Sequence, residues 1–184
     1  MLIMKSQNIT ATLASSIYTF SLVFLFGTSS LYHRVNWEPE KRKWMKRLDH
    51  SAIYILIAGT FTPICLLALA EPTGKNLLIT IWSVALLGVF QSLFYVQAPK
   101  WLSATLYVIA GYLILPFVNE LSLRIGPLNV AWLVCGGLAY TIGALCYAIK
   151  RPTLNPEIFG YHEVFHLLVI VGAICHFLVI YSVI

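Results

Sequence analysis

Tyr161-His162-Glu163-Val164-Phe165-His166 opens the last apolar stretch of the chain, which runs to Ile184. Tyr161 to Ile184 contains one acid, Glu163, and no Lys or Arg. It is long enough to cross a bilayer as a helix, which takes about 20 residues. At ~100° per residue, positions four apart lie ~40° apart around a helix axis and one turn along it. His162 and His166 therefore present two imidazoles from one face. Two readings fit that spacing. The pair can be two ligands on one metal ion, as in other helical His-x3-His sites, or two histidines anchoring a helix end at the lipid headgroups.

The rest of the chain has the same character. Of its 184 residues, 59% are hydrophobic and 10% charged, and the mean hydropathy is +0.82. Soluble domains carry about 25% charged residues, so this is not one. Six apolar stretches stand out, at 8–33, 48–70, 77–96, 101–118, 128–149 and 161–184. At ~20 residues per crossing, six crossings leave only short connectors. The expected fold is all-α, a polytopic membrane bundle of six transmembrane helices, with residues 1–184 forming a single integral membrane domain.

The net charge of +5 does not call for nucleic acid, because the basic residues fall where membrane topology wants them. The first connector holds Arg34, Lys41, Arg42, Lys43, Lys46 and Arg47, against Glu38 and Glu40. By the positive-inside rule it is cytoplasmic. Alternation then places Lys100, Lys150 and Arg151 inside as well, and Lys5, Lys75 and Arg124 outside. Both termini, including the C-terminus, are expected outside. Trp37 and Trp44 beside the basic residues suit anchors in an inner-leaflet loop, with membrane lipids as the neighbours. Cys65, Cys135, Cys146 and Cys175 all lie in apolar spans without Cys-x2-Cys spacing and read as buried, inert thiols. A cleavable signal peptide fits poorly, since the small residues Ala11 to Ser16 precede the apolar core.

Taken in order, the first span is rich in hydroxyls and ends Gly27-Thr-Ser-Ser-Leu-Tyr-His33-Arg34. Ser29 and His33 are four apart and share a face. The second span begins Leu48-Asp49-His50-Ser51. Asp49 at a helix start reads either as a first-turn acid favouring the helix dipole or as a functional carboxylate. Pro63, after Thr60-Phe61-Thr62, should kink this helix, with hydroxyls nearby to satisfy freed backbone groups. Spans three to five read as packing, with Gly136, Gly137, Gly143 and Ala144 allowing close helix approach.

The alternating topology brings four of these residues to one leaflet. His33 ends a helix entering the cytoplasm, Asp49 starts one leaving it, and His162 and His166 start another. Three imidazoles and a carboxylate at one depth match the composition of a catalytic zinc site with an open position for water. Ionisable residues at membrane depth are functional candidates in any case.

Ser29-x3-His33, the run from Leu48-Asp49-His50-Ser51-Ala52-Ile53-Tyr54 to Ala58-Gly59-Thr60-Phe61-Thr62-Pro63, and His162-Glu-Val-Phe-His166 also resemble the signature segments of the hemolysin III proteins. These are the bacterial branch of the progestin and adipoQ receptor family. The resemblance covers nearly the whole chain. It implies a protein of the bacterial inner (plasma) membrane with Zn2+ near the cytoplasmic face. It implies that His33, His162 and His166 are the zinc ligands, that Asp49 orients the zinc-bound water, and that Ser29 supports the site. His176 lies ten residues beyond His166, which is ~15 Å along a helix, too far for the same ion. A bonded interior histidine is its expected role. His50 points ~100° away from Asp49, which places it beside the acid rather than on the ion. The family usually has seven spans and this chain has six, so the family's first helix is the one expected to be missing.

Three functions follow as expectations. The resemblance to eukaryotic relatives linked to ceramide hydrolysis implies a zinc-dependent hydrolase of a lipid amide or ester. A non-enzymatic membrane-homeostasis protein with structural zinc is the alternative. The third is the cytolytic activity in the family's name, against which no span shows the repeated polar face that would line a pore.

Overall fold

The computed structural model describes residues 2–95, 98–155 and 159–184. Val96, the expected end of the third span, and residues 156–158 of the last connector lie outside the described residues. Among the described residues there is no strand beyond an isolated bridge between Asn155 and Phe159. Six helical segments among the described residues are long and apolar enough to cross a membrane, and the molecule is an all-α, multi-pass membrane protein. The chain packs as two compact units, Met1–Gln97 with Ile184, and Ala98–Val183.

In the first unit a short α1 (Leu2–Lys5) precedes α2 (Ile9–Arg34), α3 (Pro39–Pro63) and α4 (Thr73–Phe94). Asn8 caps α2, its side chain accepting from the Ala11 N–H at 2.8 Å. Helix α3 is central. Its most apolar window is 72% buried, against 33% for α2 and 28% for α4, because it packs on both. Two glycines allow this. A Cβ on Gly59 of α3 would strike the Ser21 side chain of α2, and one on Gly88 of α4 would strike the Tyr54 ring of α3. On the outer face of α4, Leu87, Phe90 and Phe94 are exposed, as suits a protein whose solvent is lipid.

Helix α3 begins nine residues before the apolar stretch at Leu48, so Pro39 to Arg47 is helix rather than connector loop. Pro39 sits in the first turn, where a missing N–H is harmless. Lys41 and Lys43 pair with Glu38 and Glu40 at 3.0 and 2.7 Å, three residues apart on the helix surface. The remaining connector is tied to α2 by Trp37, whose Nε1 donates to the Leu31 carbonyl at 2.9 Å. At Pro63 the α-helix passes into a π-helical stretch, Ile64–Ala68. Proline has no N–H to give the ladder. The Thr62 hydroxyl donates to Ala58 at 2.8 Å and accepts from Trp82 Nε1 at 3.1 Å.

The second unit holds α5 (Lys100–Tyr112), α6 (Val118–Ile125), α7 (Pro127–Ile149) and α8 (Tyr161–Val183). The fourth span continues past its expected end at residue 118, to Ile125. Pro116 lies in a 3-10 turn, Leu115–Phe117, that carries the chain into α6. Gly126, at φ 82°, turns α6 into α7. Helices α7 and α8 run antiparallel in close contact. Gly136 of α7 faces the His176 ring, and Gly172 of α8 faces the Tyr140 ring. Lys150, left-handed at φ 56°, ends α7.

Candidate metal centre

Helix α8 starts where its first acid caps it. Glu163 Oε2 accepts from the Gly160 N–H at 2.9 Å, a carboxylate reaching back to a free donor three residues before it. That bond accounts for the span's only acid and leaves the two histidines on the inner face. His162 and His166 are both half-buried. Their Nε2 atoms lie 3.1 Å apart, with the ring planes at 87°. Tyr147 of α7 flanks them, its centroid 6.0 Å from His162 and 5.1 Å from Phe165.

The separation of the two nitrogens suits an ion. Imidazole nitrogens ~2.0–2.1 Å from a tetrahedral zinc stand about 3.3 Å apart, close to the 3.1 Å of this pair. Without an ion, one ring N–H can donate to the other nitrogen. His162 and His166 offer one ring nitrogen each to such an ion.

In the first unit, Ser29 and His33 occupy the last turns of α2, and Tyr32 packs edge-on against the His33 ring with centroids 4.6 Å apart. Asp49 lies on the facing helix. Because α3 begins at Pro39, Asp49 is nearly three turns inside it, at ~3.6 residues per turn. The first-turn reading of this acid therefore falls away. Its side chain is only 13% exposed, and the Ser29 side chain lies beside it. The two residues come from neighbouring helices of the first unit. His50 is nearer than its helical angle suggested. Its Nδ1 stands 3.7 Å from Asp49 Oδ2, within ion-pair reach when the ring is protonated and beyond hydrogen-bond distance.

His176 has a different role. Its Nε2 lies 3.2 Å from the Leu133 carbonyl oxygen of α7, and its ring packs edge-on against Tyr140 at 5.3 Å. It is an interior histidine bonded across a helix pair. Lys100, a topology charge in the sequence, contacts Tyr147 and Tyr161 at the histidine end of α8. Nothing in its local sequence signals that contact, since its partners come from two other helices.

Known proteins resemble this chain along most of its length. Hemolysin-3 of Bacillus cereus is 33% identical over 92% of this chain and 74% of its own. The hemolysin-3 homolog of Bacillus subtilis (strain 168) is 32% identical over 88% of this chain and 73% of its own. The monocyte to macrophage differentiation factor of Homo sapiens is 25% identical over 90% of this chain and 68% of its own. No solved structure matches the chain. The family model described as Haemolysin-III related matches residues 1–177. With that match, and with a relative a third identical along most of both chains, this protein belongs to the Haemolysin-III related family.

Proposed function

We propose that this protein is a zinc-dependent hydrolase of lipid amide or ester bonds, with His33, His162 and His166 as its zinc ligands. The observation that carries the reading is the facing of His162 Nε2 and His166 Nε2 at 3.1 Å. Three imidazoles without a fourth protein ligand are the donor set of catalytic rather than structural zinc sites. When bound, zinc would polarise the scissile carbonyl and make water easier to deprotonate.

The chain's own residues supply the rest. Asp49 orients the attacking water and takes one of its protons, and the departing amine or alcohol recovers that proton as the acyl bond breaks. Ser29, beside Asp49, helps orient the carboxylate. The spans' apolar surroundings favour a lipid as the substrate. The basic first connector favours placing the site near the cytoplasmic face of a bacterial plasma membrane, with the C-terminus outside.

The test compares wild type, Asp49→Asn and His33→Ala on a panel of ceramides and other acyl lipids. Asp49→Asn keeps the shape of the side chain and removes its charge and basicity. It should keep zinc and thermal stability while losing about 10²–10⁴-fold in hydrolysis. His33→Ala should lose both zinc and turnover. Wild-type product no higher than that of His33→Ala across the panel would refute the hydrolase. Loss of zinc or of stability in Asp49→Asn would make the carboxylate a structural element instead.

A further inference from the structure

Lys100 is the first residue of α5, Tyr147 lies in the last turn of α7, and Tyr161 is the first residue of α8. All three belong to one compact unit and are half-buried. Lys100 Nζ donates to the Tyr161 hydroxyl at 2.9 Å. The same ammonium stands 4.4 Å from the Tyr147 ring centroid and 4.7 Å from that of Tyr161. Tyr147 in turn lies 6.0 Å from the His162 ring, so the cation is one aromatic ring away from the histidine pair.

Aromatic faces attract and fix an ammonium, but they do not neutralise it. Among the described residues no carboxylate pairs with Lys100. The one acid in the first turn of α8, Glu163, is turned to the Gly160 N–H. A lysine ammonium has three donors, and one of them goes to Tyr161. Because that bond is accepted by the phenol oxygen, the Tyr161 O–H is itself left to donate. A positioned positive charge and a phenolic donor thus sit together, where three membrane-length segments begin or end and where Lys150 and Arg151 follow α7. At such helix ends the available anions are the phosphates of lipid headgroups.

We propose that Lys100 and Tyr161 form a binding site for the phosphate of a phospholipid headgroup beside His162 and His166. Phospholipids carry their acyl ester carbonyls a glycerol away from the phosphate, so a lipid held here brings such a linkage towards the histidines. That last step, which makes a phosphate-bearing lipid the substrate class, rests on the hydrolase reading. The phosphate contact does not.

The test measures binding of short-chain phosphatidylglycerol, diacylglycerol of the same chains, and inorganic phosphate to the full chain in detergent, by native mass spectrometry. Each is measured with zinc loaded and after chelation. Wild type should prefer phosphatidylglycerol to diacylglycerol by about tenfold or more, the scale of a charge-assisted hydrogen bond. Lys100→Gln should abolish the preference, Tyr161→Phe should weaken it several-fold, and Lys100→Arg should restore most of it. Lys75→Gln, which removes a lysine from the first unit, should leave it unchanged. Should Lys100→Gln misfold, the contrast between Tyr161→Phe and Lys100→Arg still decides the matter. No preference in wild type, or an unchanged preference in folded Lys100→Gln, overturns the site. Inorganic phosphate displacing the lipid at equal concentration overturns the lipid as its ligand. Preference kept after chelation, in a protein that hydrolyses nothing, supports the site while refuting the hydrolase.

Discussion

His176 Nε2 is bonded to the Leu133 carbonyl at 3.2 Å, ten residues beyond His166 on the same helix. This contact divides the histidines of α8 by their partners. His162 and His166 face one another, whereas His176 is committed to the neighbouring backbone.

Metal content should follow that division. Purified protein should carry about one zinc per chain, since three histidines and a water complete one tetrahedral site. His33→Ala, His162→Ala and His166→Ala should each lose most of it, as measured by elemental analysis after dialysis. His176→Ala should keep it and instead lose about 2–5 kcal/mol of stability, because the buried ring that packs against Gly136 and Tyr140 and bonds the Leu133 carbonyl is lost. Equal zinc in all four variants would move the ion elsewhere.

Gly136→Ala should destabilise without touching the metal. The added methyl meets the His176 ring, and overpacking of this kind costs about 1–3 kcal/mol. A lower melting temperature with unchanged zinc is the expected outcome. An unchanged melting temperature would mean that α7 and α8 separate there at no cost.

Ser29→Ala should separate support from binding. It removes the hydroxyl that lies beside Asp49 and leaves every histidine in place. Lost outer-shell hydrogen bonds typically cost 10–100-fold, so hydrolysis should fall by about that factor with zinc retained. Turnover equal to wild type would remove Ser29 from the site.

Topology can be read with reporters. A fusion after Ile184 should behave as exported and one near Lys41 as cytoplasmic, following the excess of Lys and Arg in the first connector. The reverse pattern would put the histidines on the opposite face.

Much of this was legible in the sequence because its causes are local. Apolar length alone identifies six spans, and a spacing of four puts His162 and His166 on one face. The start of α3 was not legible. A polar run from Pro39 to Arg47 reads as a connector, and only its pairs Glu38–Lys41 and Glu40–Lys43 reveal a helix. That misplaced start also made Asp49 look like a first-turn acid. The extension of the fourth span past residue 118 was hidden for a related reason, since a 3-10 turn absorbs Pro116 and the helix goes on to Ile125. Lys100 was out of reach altogether. Its partners lie 47 and 61 positions away along the chain, so only tertiary packing brings them to it.

The α7–α8 contact has one further consequence. Each helix lends the other a ring and offers it a gap: His176 over Gly136 in one direction, Tyr140 over Gly172 in the other. The two contacts point opposite ways and sit four residues apart on each helix. Rotation or sliding of either helix would shift both rings off their glycines together. Helix α8 carries no Lys or Arg of its own to set its depth in a membrane, whereas α7 is followed by Lys150 and Arg151. The level at which His162 and His166 rest is therefore borrowed from the neighbouring helix, through two interlocked rings.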